Sequence, residues 1–393
     1  MFEITARLPM NREPWVQSLE LRKKTVLNSC RNGKRIALYV YEKADTSTFR
    51  YRCYNTFQAS MNSEQWQAVY FYGNETDDVI NLLSETSLLV LTRVRWTHDM
   101  ERLVLEAGKR NIPVYYDIDD YVCDVDALKI VTNTLNVHFG GEVDYDFWFA
   151  YISRMQKMAS LADGFLTTNH YLGKKLSDKF NRPYQIIINS LNKEQIEVSE
   201  ECFQKKQKSS SKKPYTIGYF SGTPSHINDF KIVSNELIQL LNDCPDMRLE
   251  VVGFMEFPDS MNSLMSQGRI CFKPLVDFME LQVLMSKVDV SIVPLVNNSF
   301  TNCKSELKFF EAAVVGTPTI ATPIFTYNSS ISDNYTGFLC NPGQWYDTIM
   351  NLYSDSAVSG KIASNAREYA LSQYCGESFV NILEKAYNNA INS

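Results

Sequence analysis

Two short stretches of this chain carry ionisable side chains in patterns that could do chemistry. The first is DIDD at 117–120, where three carboxylates follow an apolar run. Carboxylates in this position can accept a hydroxyl proton, hydrogen-bond a sugar or bind a divalent cation. A polar loop that caps a helix is the structural alternative. The pattern marks Asp117, Asp119 and Asp120 as candidate site residues.

The second stretch is NCKSELKFFEAAVVGTPTIATP at 302–323. Ser305 is a predicted N-cap, apolar residues at helical spacing follow it, and a turn at 316–318 precedes a buried strand. Lys304 and Lys308 lie at the start of the predicted helix. Because helix N-termini and nearby lysines attract phosphate, we expect this helix to hold an anionic group. The alternative is an amphipathic helix whose lysines lie in solvent.

Strands and helices alternate in both halves of the chain, which predicts an α/β protein. Apolar runs of about four or five residues separated by helical patterns indicate two Rossmann-like, doubly wound domains facing a central cleft. Ligands of such sheets bind at the carboxyl ends of the strands. The predicted boundaries are 1–194 for the N-terminal domain, joined by a C-terminal helix at about 375–393, then a linker at 195–214 and a second domain at 215–374. The basic run at 205–213 is either a solvated linker or a contact for anionic lipid.

Other candidate residues follow predicted strands. Arg50 and Arg52 follow the strand at 35–41, in a turn that lacks G-x-G-x-x-G, and this disfavours an NAD-dependent enzyme. These arginines either contact an anionic substrate or lie on an exposed helix face. In the second half a small-residue turn leads into a helix, where backbone amides can approach a phosphate closely. Its candidate residues are Ser221, Gly222, Thr223 and His226.

Composition and charge exclude several classes of protein. The net charge of -6 over 393 residues argues against a broad basic surface for nucleic acid. The nine cysteines are scattered without a C-x-x-C pair, which predicts reduced thiols and neither a zinc site nor a disulfide framework. No window approaches the roughly 20 apolar residues that cross a bilayer. We therefore expect a cytoplasmic protein whose membrane contact, if it has one, is peripheral and at the inner face. The aromatic-rich segment 145–162 is interpreted as a core helix.

An ordered set of motifs resembles the retaining, nucleotide-sugar-dependent glycosyltransferases of the GT-B fold, of the family-four type found in bacterial surface polysaccharide synthesis. In the second half these are IGYFSGTPSH at 217–226, VVGF at 251–254, VDFMEL at 276–281, DVSIVPL at 289–295, KSELKFFEAAVVGTPTIATP at 304–323 and DNYTGFL at 333–339. They cover most of 215–345. The first half is similar more loosely, through RYR at 50–52, DIDD at 117–120, ADGFLTTN at 162–169 and IIINSLN at 186–192.

This resemblance implies roles for the candidate residues. The glutamate of the FFEA segment, Glu311, binds the ribose hydroxyls of the nucleotide, because a carboxylate can accept from both. Many members carry a second glutamate eight positions earlier, near the donor sugar, where this chain has Cys303. Three polar residues nearby could replace that glutamate: Asn302, Ser305 and Glu306. The remaining donor-binding candidates are Ser221, Gly222, Thr223, His226, Lys304 and Ser305. The acceptor-binding candidates are Arg50, Arg52 and Asp117, and the catalytic candidates are Asp119, Asp120 and Lys308.

The implied function is transfer of a hexosyl or deoxyhexosyl group from a nucleotide-diphosphate sugar to a hydroxyl of a glycan or lipid-linked acceptor. Retention and the absence of a metal or other cofactor are part of this expectation, and the N-terminal domain is expected to bind the acceptor. The missing glutamate at Cys303 leaves open a catalytically silent protein that binds a nucleotide sugar or a partner. A nucleotide-sugar epimerase is the other alternative, and it needs acids and a histidine in the cleft, for which His170 and His226 are the candidates.

Overall fold

Two six-stranded parallel sheets, each flanked by helices, form the protein. This architecture comes from a computed structural model that describes residues 12–135, 137, 139–208, 214–222 and 227–392. The predicted α/β class with two Rossmann-like domains is confirmed. Within these ranges no helix is both long enough and apolar enough to cross a bilayer.

The bounds of the elements are as follows. The N-terminal half contains α1 Leu19–Arg31, β1 Arg35–Tyr41, α2 Asn55–Ser60, β2 Trp66–Tyr72, α3 Thr76–Asn81, β3 Leu88–Thr92, α4 His98–Lys109, β4 Val114–Ile118, α5 Leu128–Thr134, α6 Glu142–Leu161, β5 Gly164–Thr167, α7 His170–Phe180, β6 Tyr184–Ile186 and α8 Lys193–Lys208. The C-terminal half contains β7 Tyr215–Ser221, α9 Ile227–Asp243, β8 Met247–Gly253, α10 Asn262–Ser266, β9 Ile270–Lys273, α11 Phe278–Lys287, β10 Val290–Val293, α12 Leu307–Val314, β11 Thr319–Ala321, α13 Phe325–Ser330, β12 Phe338–Leu339, α14 Trp345–Ser354, α15 Ser356–Gln373 and α16 Gly376–Ile391.

The strand order of each sheet reverses direction at one point. The N-terminal sheet has the order β2-β1-β3-β4-β5-β6, and the C-terminal sheet has the order β12-β11-β10-β7-β8-β9. The reversal lies between β1 and β3 in the first sheet and between β7 and β10 in the second. Connections leave in opposite directions at such a point and open a crevice at the carboxyl ends of the strands. The topology therefore predicts ligand contacts in the loops after these four strands.

The C-terminal helix α16 packs against the first sheet. The Tyr387 hydroxyl lies 2.8 Å from that of Tyr39 on β1, and the Tyr387 ring packs on Trp66. Residues Phe379, Leu383 and Ala386 belong to the same buried cluster as Trp15 and Phe49. The last helix thus completes the core of the N-terminal half.

The segment predicted as an irregular linker is mostly helical. Residues Lys193–Lys208 form α8, whose Gln195, Ser199 and Cys202 are buried. The Ser199 hydroxyl donates to Gln282 of α11 at 3.2 Å. The sequence shows no apolar period here because α8 buries polar side chains that find hydrogen-bond partners. Residues 209–213 of the predicted linker lie outside the described residues.

Two further predictions about helices are corrected. Helix α12 begins at Leu307 with Glu306 as its N-cap, and Ser305 does not cap it, because the Ser305 hydroxyl accepts a hydrogen bond from Asn189. The second half of α6 is core, as predicted, but its first half exposes large apolar side chains. The segment is therefore only partly a core helix.

A buried ion pair joins the loop after β1 to the end of β4. Arg52 belongs to a single π-helical turn at Arg50–Tyr54 and contacts Asp117 through Nε and Nη2, the shortest distance being 2.6 Å. Arg52 also donates to the Ile187 carbonyl and to Asn189. Both members of the pair are almost fully buried. Hydrogen bonds on several sides offset the cost of taking these charges out of water.

We expect Arg52→Met to destabilise the N-terminal domain by about 3–5 kcal/mol, because it leaves the Asp117 carboxylate buried without its cation. Urea unfolding followed by tryptophan fluorescence measures this loss. Arg102→Met is the control, since Arg102 forms exposed ion pairs with Asp77 and Asp99, and such pairs contribute little. Equal midpoints for the two variants would contradict the stabilising role of the buried pair.

Candidate active site in the interdomain cleft

Loops after the strands of the two sheets contact each other across the cleft. Asn169, after β5, donates to the carbonyls of Cys303 and Lys304, in each case at 3.0 Å. Asn189, after β6, donates to the Ser305 hydroxyl at 2.9 Å. The loop that precedes α12 is therefore positioned by amide side chains of the N-terminal domain.

A cavity of about 470 Å³ opens between residues of the two domains. Its volume lies within the range of small-ligand sites. One wall is α5 and the turn before it, with Asp126, Lys129, Ile130, Asn133 and Thr134. The other wall is the start of α9 and the loop after β10, with Asn228, Asp229, Val296 and Asn298. The cavity thus adjoins the β7–β10 reversal point of the C-terminal sheet.

Lys308 is a partly buried cation in the first turn of α12. Burial lowers the pKa of its ammonium to about 8, although the negative charge of Asp229 opposes this effect. The ammonium lies 5.6 Å from the ring centre of Tyr219. The described residues offer it no hydrogen bond or ion pair. A desolvated cation of this kind, next to the free amides of a helix start, suits an anionic ligand.

Glu311, one turn further along α12, lies at a junction between the two domains. Its Oε1 atom accepts a hydrogen bond from the Tyr51 hydroxyl, accepts another from Gln195 at 3.4 Å, and lies 3.7 Å from Arg50. Burial raises the pKa of Glu311, and these partners offset only part of that rise. Within the described ranges the contacts of Glu311 with Tyr51, Gln195 and Arg50 all involve its Oε1 atom.

The acids of the DIDD segment differ in their surroundings. Burial by itself would raise the pKa of Asp119. The positive charges of Arg93 and Arg52 outweigh this effect, so the pKa lies below its usual value. Asp119 accepts from Arg93 at 2.9 Å and from Thr48 at 3.1 Å. Asp120 is the more exposed of the two and lies 3.4 Å from Lys304 of the opposite domain. The structure therefore brings Asp119, Asp120 and Lys304 together. Among the described residues no group of three or more metal-binding side chains occurs.

The three residues predicted to contact an acceptor are enclosed. Arg52 and Asp117 are 2% and 0% exposed and are paired with each other. Arg50 is also buried and donates to Gln195 at 2.8 Å. The alternative of an exposed helix face is wrong for both arginines. These side chains hold loops and domains together in the structure, and their assignment to an acceptor stays a prediction.

The turn after β7 depends on a glycine in the neighbouring strand. Gly253, at the end of β8, has φ +110°, and a Cβ there would lie 1.7 Å from the Ser221 carbonyl oxygen. A side chain at this position is excluded, so β8 can approach the end of β7 closely. Ser221 is buried and Gly222 is exposed. The predicted Thr223 and His226 lie outside the described residues.

Cys303 and its three possible substitutes make other contacts. The buried Cys303 thiol donates to the Ser299 carbonyl. Asn302 accepts from the amide of Phe325, and Ser305 is bonded to Asn189. Glu306 is buried beside Tyr374, and burial raises its pKa to about 7. Among the other predicted residues, His170 is exposed, with its ring 3.4 Å from the Tyr184 hydroxyl.

Sequence reasoning missed Arg93, Tyr51 and Gln195. Arg93 adopts φ +48° and directs its guanidinium to Asp119 and Asp120. Tyr51 stands between the candidate residues Arg50 and Arg52, and only this position in the sequence indicates that it could belong to the site. Gln195 lies in the predicted linker, where no pattern distinguished it. The positive φ of Arg93 is uncommon for a residue other than glycine.

Part of the chain matches a protein-family model, and solved structures share its fold. Residues 214–355 match the family model described as "Glycosyl transferases group 1". The comparison with curated proteins found no match.

Several solved structures cover nearly the whole chain. HepE of Anabaena, in complex with UDP, is 14% identical with a TM-score of 0.61 over 91% of this chain and 100% of HepE. A glycosyltransferase from Rickettsia africae is 13% identical with a TM-score of 0.59 over 92% of this chain and 99% of its own. WaaG, a glycosyltransferase involved in lipopolysaccharide biosynthesis, is 13% identical with a TM-score of 0.57 over 91% of this chain and 100% of WaaG.

The family match covers the domain that holds α12 and the turn after β7, and the structural matches extend over both domains. At these low identities the structural matches show the fold alone. Residues 214–355 are thus similar to the group 1 glycosyl transferases, and the whole chain has the two-domain GT-B fold.

Proposed function

We propose that this protein is a glycosyltransferase that moves a sugar from a nucleotide-diphosphate sugar to a hydroxyl of a glycan or lipid-linked acceptor. The observation that carries the proposal is Lys308, a partly buried ammonium that forms no hydrogen bond or ion pair with the described residues, although the charges of Asp229 and Glu311 act on it. It lies at the start of a helix inside residues 214–355, which are similar to the group 1 glycosyl transferases. A diphosphate would supply the negative charge that this ammonium lacks.

The donor is proposed to lie along the C-terminal wall of the cleft. Its diphosphate would face Lys308, the first-turn amides of α12 and the turn at Ser221 and Gly222. Glu311 would accept hydrogen bonds from the ribose hydroxyls. HepE has been solved with UDP and with UDP-glucose, which supports a nucleotide sugar in this cleft.

The reaction breaks the bond between the anomeric carbon and the diphosphate oxygen and forms a bond from that carbon to the acceptor oxygen. Negative charge grows on the departing diphosphate, and a fixed ammonium and helix amides stabilise it without reorganising. The acceptor oxygen attacks the face from which the diphosphate departs, so the configuration at the anomeric carbon is retained. The departing phosphate oxygen takes the acceptor proton, so no protein base is needed. Lys308 and Lys304 would provide the positive charge without a metal.

The acceptor is proposed to enter from the N-terminal domain. Asp120 is the more exposed acid of the DIDD segment and faces Lys304 across the cleft. Asp119 is held by Arg93 and Thr48, so its ionised form is fixed in position. These two carboxylates would orient the acceptor hydroxyl toward the donor.

Nucleotide-diphosphate release from a panel of nucleotide sugars, with UDP-glucose as the first member, tests the function. Release with at least one donor is expected, and nuclear magnetic resonance of the product should show the anomer of the donor. Binding of a donor without hydrolysis or transfer would overturn the proposal in favour of a silent nucleotide-sugar-binding protein. Conversion of one free nucleotide sugar into its epimer would overturn it in favour of an epimerase.

Replacing Glu311 by glutamine should weaken nucleotide binding by about 10- to 100-fold, because the ribose loses charge-assisted hydrogen bonds. Titration calorimetry with UDP measures the change. Glu306→Gln is the matched control, since Glu306 is a buried glutamate of the same segment that contacts Tyr374. Thermal unfolding of both variants shows whether they are folded. Unchanged UDP affinity in a folded Glu311→Gln variant would show that the ribose assignment is wrong.

Donor affinity should fall as pH rises above about 8. The pKa of Lys308 in the free protein is about 8, and a bound diphosphate raises it, so binding above this pH requires uptake of a proton. The dissociation constant of UDP-glucose should increase about tenfold from pH 7 to pH 9. In Lys308→Arg the guanidinium stays charged, and the constant should change by less than about twofold. The same pH profile in both proteins would exclude Lys308 as the diphosphate contact.

A further inference from the structure

The first half of α6 exposes more apolar surface than the packing of the helix requires. Val143 is 81% exposed, Tyr145 54%, and Phe147 and Phe149 53% each. The buried stripe of α6 is already complete with Trp148, Tyr151, Ile152, Met155, Met158 and Ala159. Exposed aromatic rings favour association with a ligand or partner. These side chains are therefore candidates for a binding surface.

The exposed side chains lie on two different sides of the helix. At about 100° per residue, Val143 and Phe147 fall on one side of the buried stripe, and Tyr145 and Phe149 fall on the other. Phe147 packs on Tyr151 with ring centres 6.2 Å apart and an angle of 21° between the planes. The Phe147 side is the one that leads toward the cleft.

A continuous series of contacts connects Phe147 to the DIDD acids. The Phe147 ring packs on Tyr151, and the positive charge of Arg93 acts on the Tyr151 hydroxyl, where it opposes the rise in pKa that burial causes. Arg93 in turn lies 2.9 Å from Asp119 and 3.6 Å from Asp120. The exposed ring is therefore separated from the proposed acceptor carboxylates by only two side chains.

An accessible ion pair lies beside the same tyrosine. Arg95 contacts Glu42 through two hydrogen bonds of 2.7 and 2.6 Å, and its guanidinium is 5.4 Å from the Tyr151 ring centre. The two side chains are 33% and 36% exposed. Their free edges present donors and acceptors next to an aromatic face. Sugars combine hydroxyl groups with apolar C–H faces, and this arrangement fits both.

We infer that Phe147, Glu42 and Arg95 form a saccharide subsite that holds the acceptor glycan and leads it to Asp119 and Asp120. This inference rests on the proposed glycosyltransferase function and names the acceptor's chemical class. Glu142, Asp144 and Asp146 interrupt the aromatic residues, and their negative charge disfavours an anionic membrane surface as the occupant. The favoured ligand is a neutral saccharide.

Phe147 and Phe149 provide a matched pair of variants, because they are equally exposed and lie on different sides of one helix. Phe147→Ser should weaken glycan binding about tenfold through the loss of ring stacking, while Phe149→Ser should change it by less than about twofold. The probe is a printed panel of neutral and acidic microbial glycans, followed by calorimetry with the retained members. UDP affinity, measured in parallel, should be unchanged in both variants.

Binding of neutral glycans on the panel that is lost in Phe147→Ser and kept in Phe149→Ser supports the subsite. No retained glycan, or equal retention by both variants, overturns it. Sedimentation with phosphatidylglycerol vesicles that both substitutions weaken equally would also overturn it, since that pattern indicates a membrane contact. Failure of the proposed function is distinguishable, because it appears as absent sugar transfer in the donor panel whatever the glycan-binding result.

Discussion

The buried pair of Arg52 and Asp117 is the interaction on which the arrangement of the N-terminal strand ends depends. It ties the π-helical turn after β1 to the end of β4 and, through the Ile187 carbonyl and Asn189, to the segment after β6. Neither charge can remain buried alone, so the three segments are fixed together. This constraint holds Tyr51 at Glu311 and holds the DIDD acids at the edge of the cleft.

Polar side chains in loops of the two domains contact each other across the cleft. Asn169 and Asn189 bind the segment before α12, Lys304 approaches Asp120, and Tyr51 reaches Glu311. Hydrogen bonds of this kind can be exchanged for bonds to water or to a ligand at a small net cost. A cleft closed by such contacts is suited to admit a donor and an acceptor in turn. The same residues of α12 thus serve both the junction and the proposed donor site.

Much of the fold could be predicted from local patterns. Apolar runs at 35–41 and 88–91 and the helical spacing after Leu307 correspond to observed strands and helices, because a buried strand and an amphipathic helix each leave a periodic trace. Helix α8 left no such trace, since its buried positions include Gln195 and Ser199, whose partners come from distant segments. The first half of α6 differs from the prediction of a core helix, because aromatic residues at helical spacing have the same pattern whether they face a core or solvent.

The sequence by itself determined the α/β class, the two-domain organisation and the identity of some charged residues near the cleft, among them Asp120 and Lys304. Those features depend on short-range periodicity and on motifs that lie within one segment. Only the tertiary structure decided which charges are enclosed and which are accessible. Arg52 and Asp117 neutralise each other in the interior, whereas Lys308 is partly buried and forms no ion pair with the described residues. The difference arises because the cost of burying a charge depends on partners that the chain brings together from far apart.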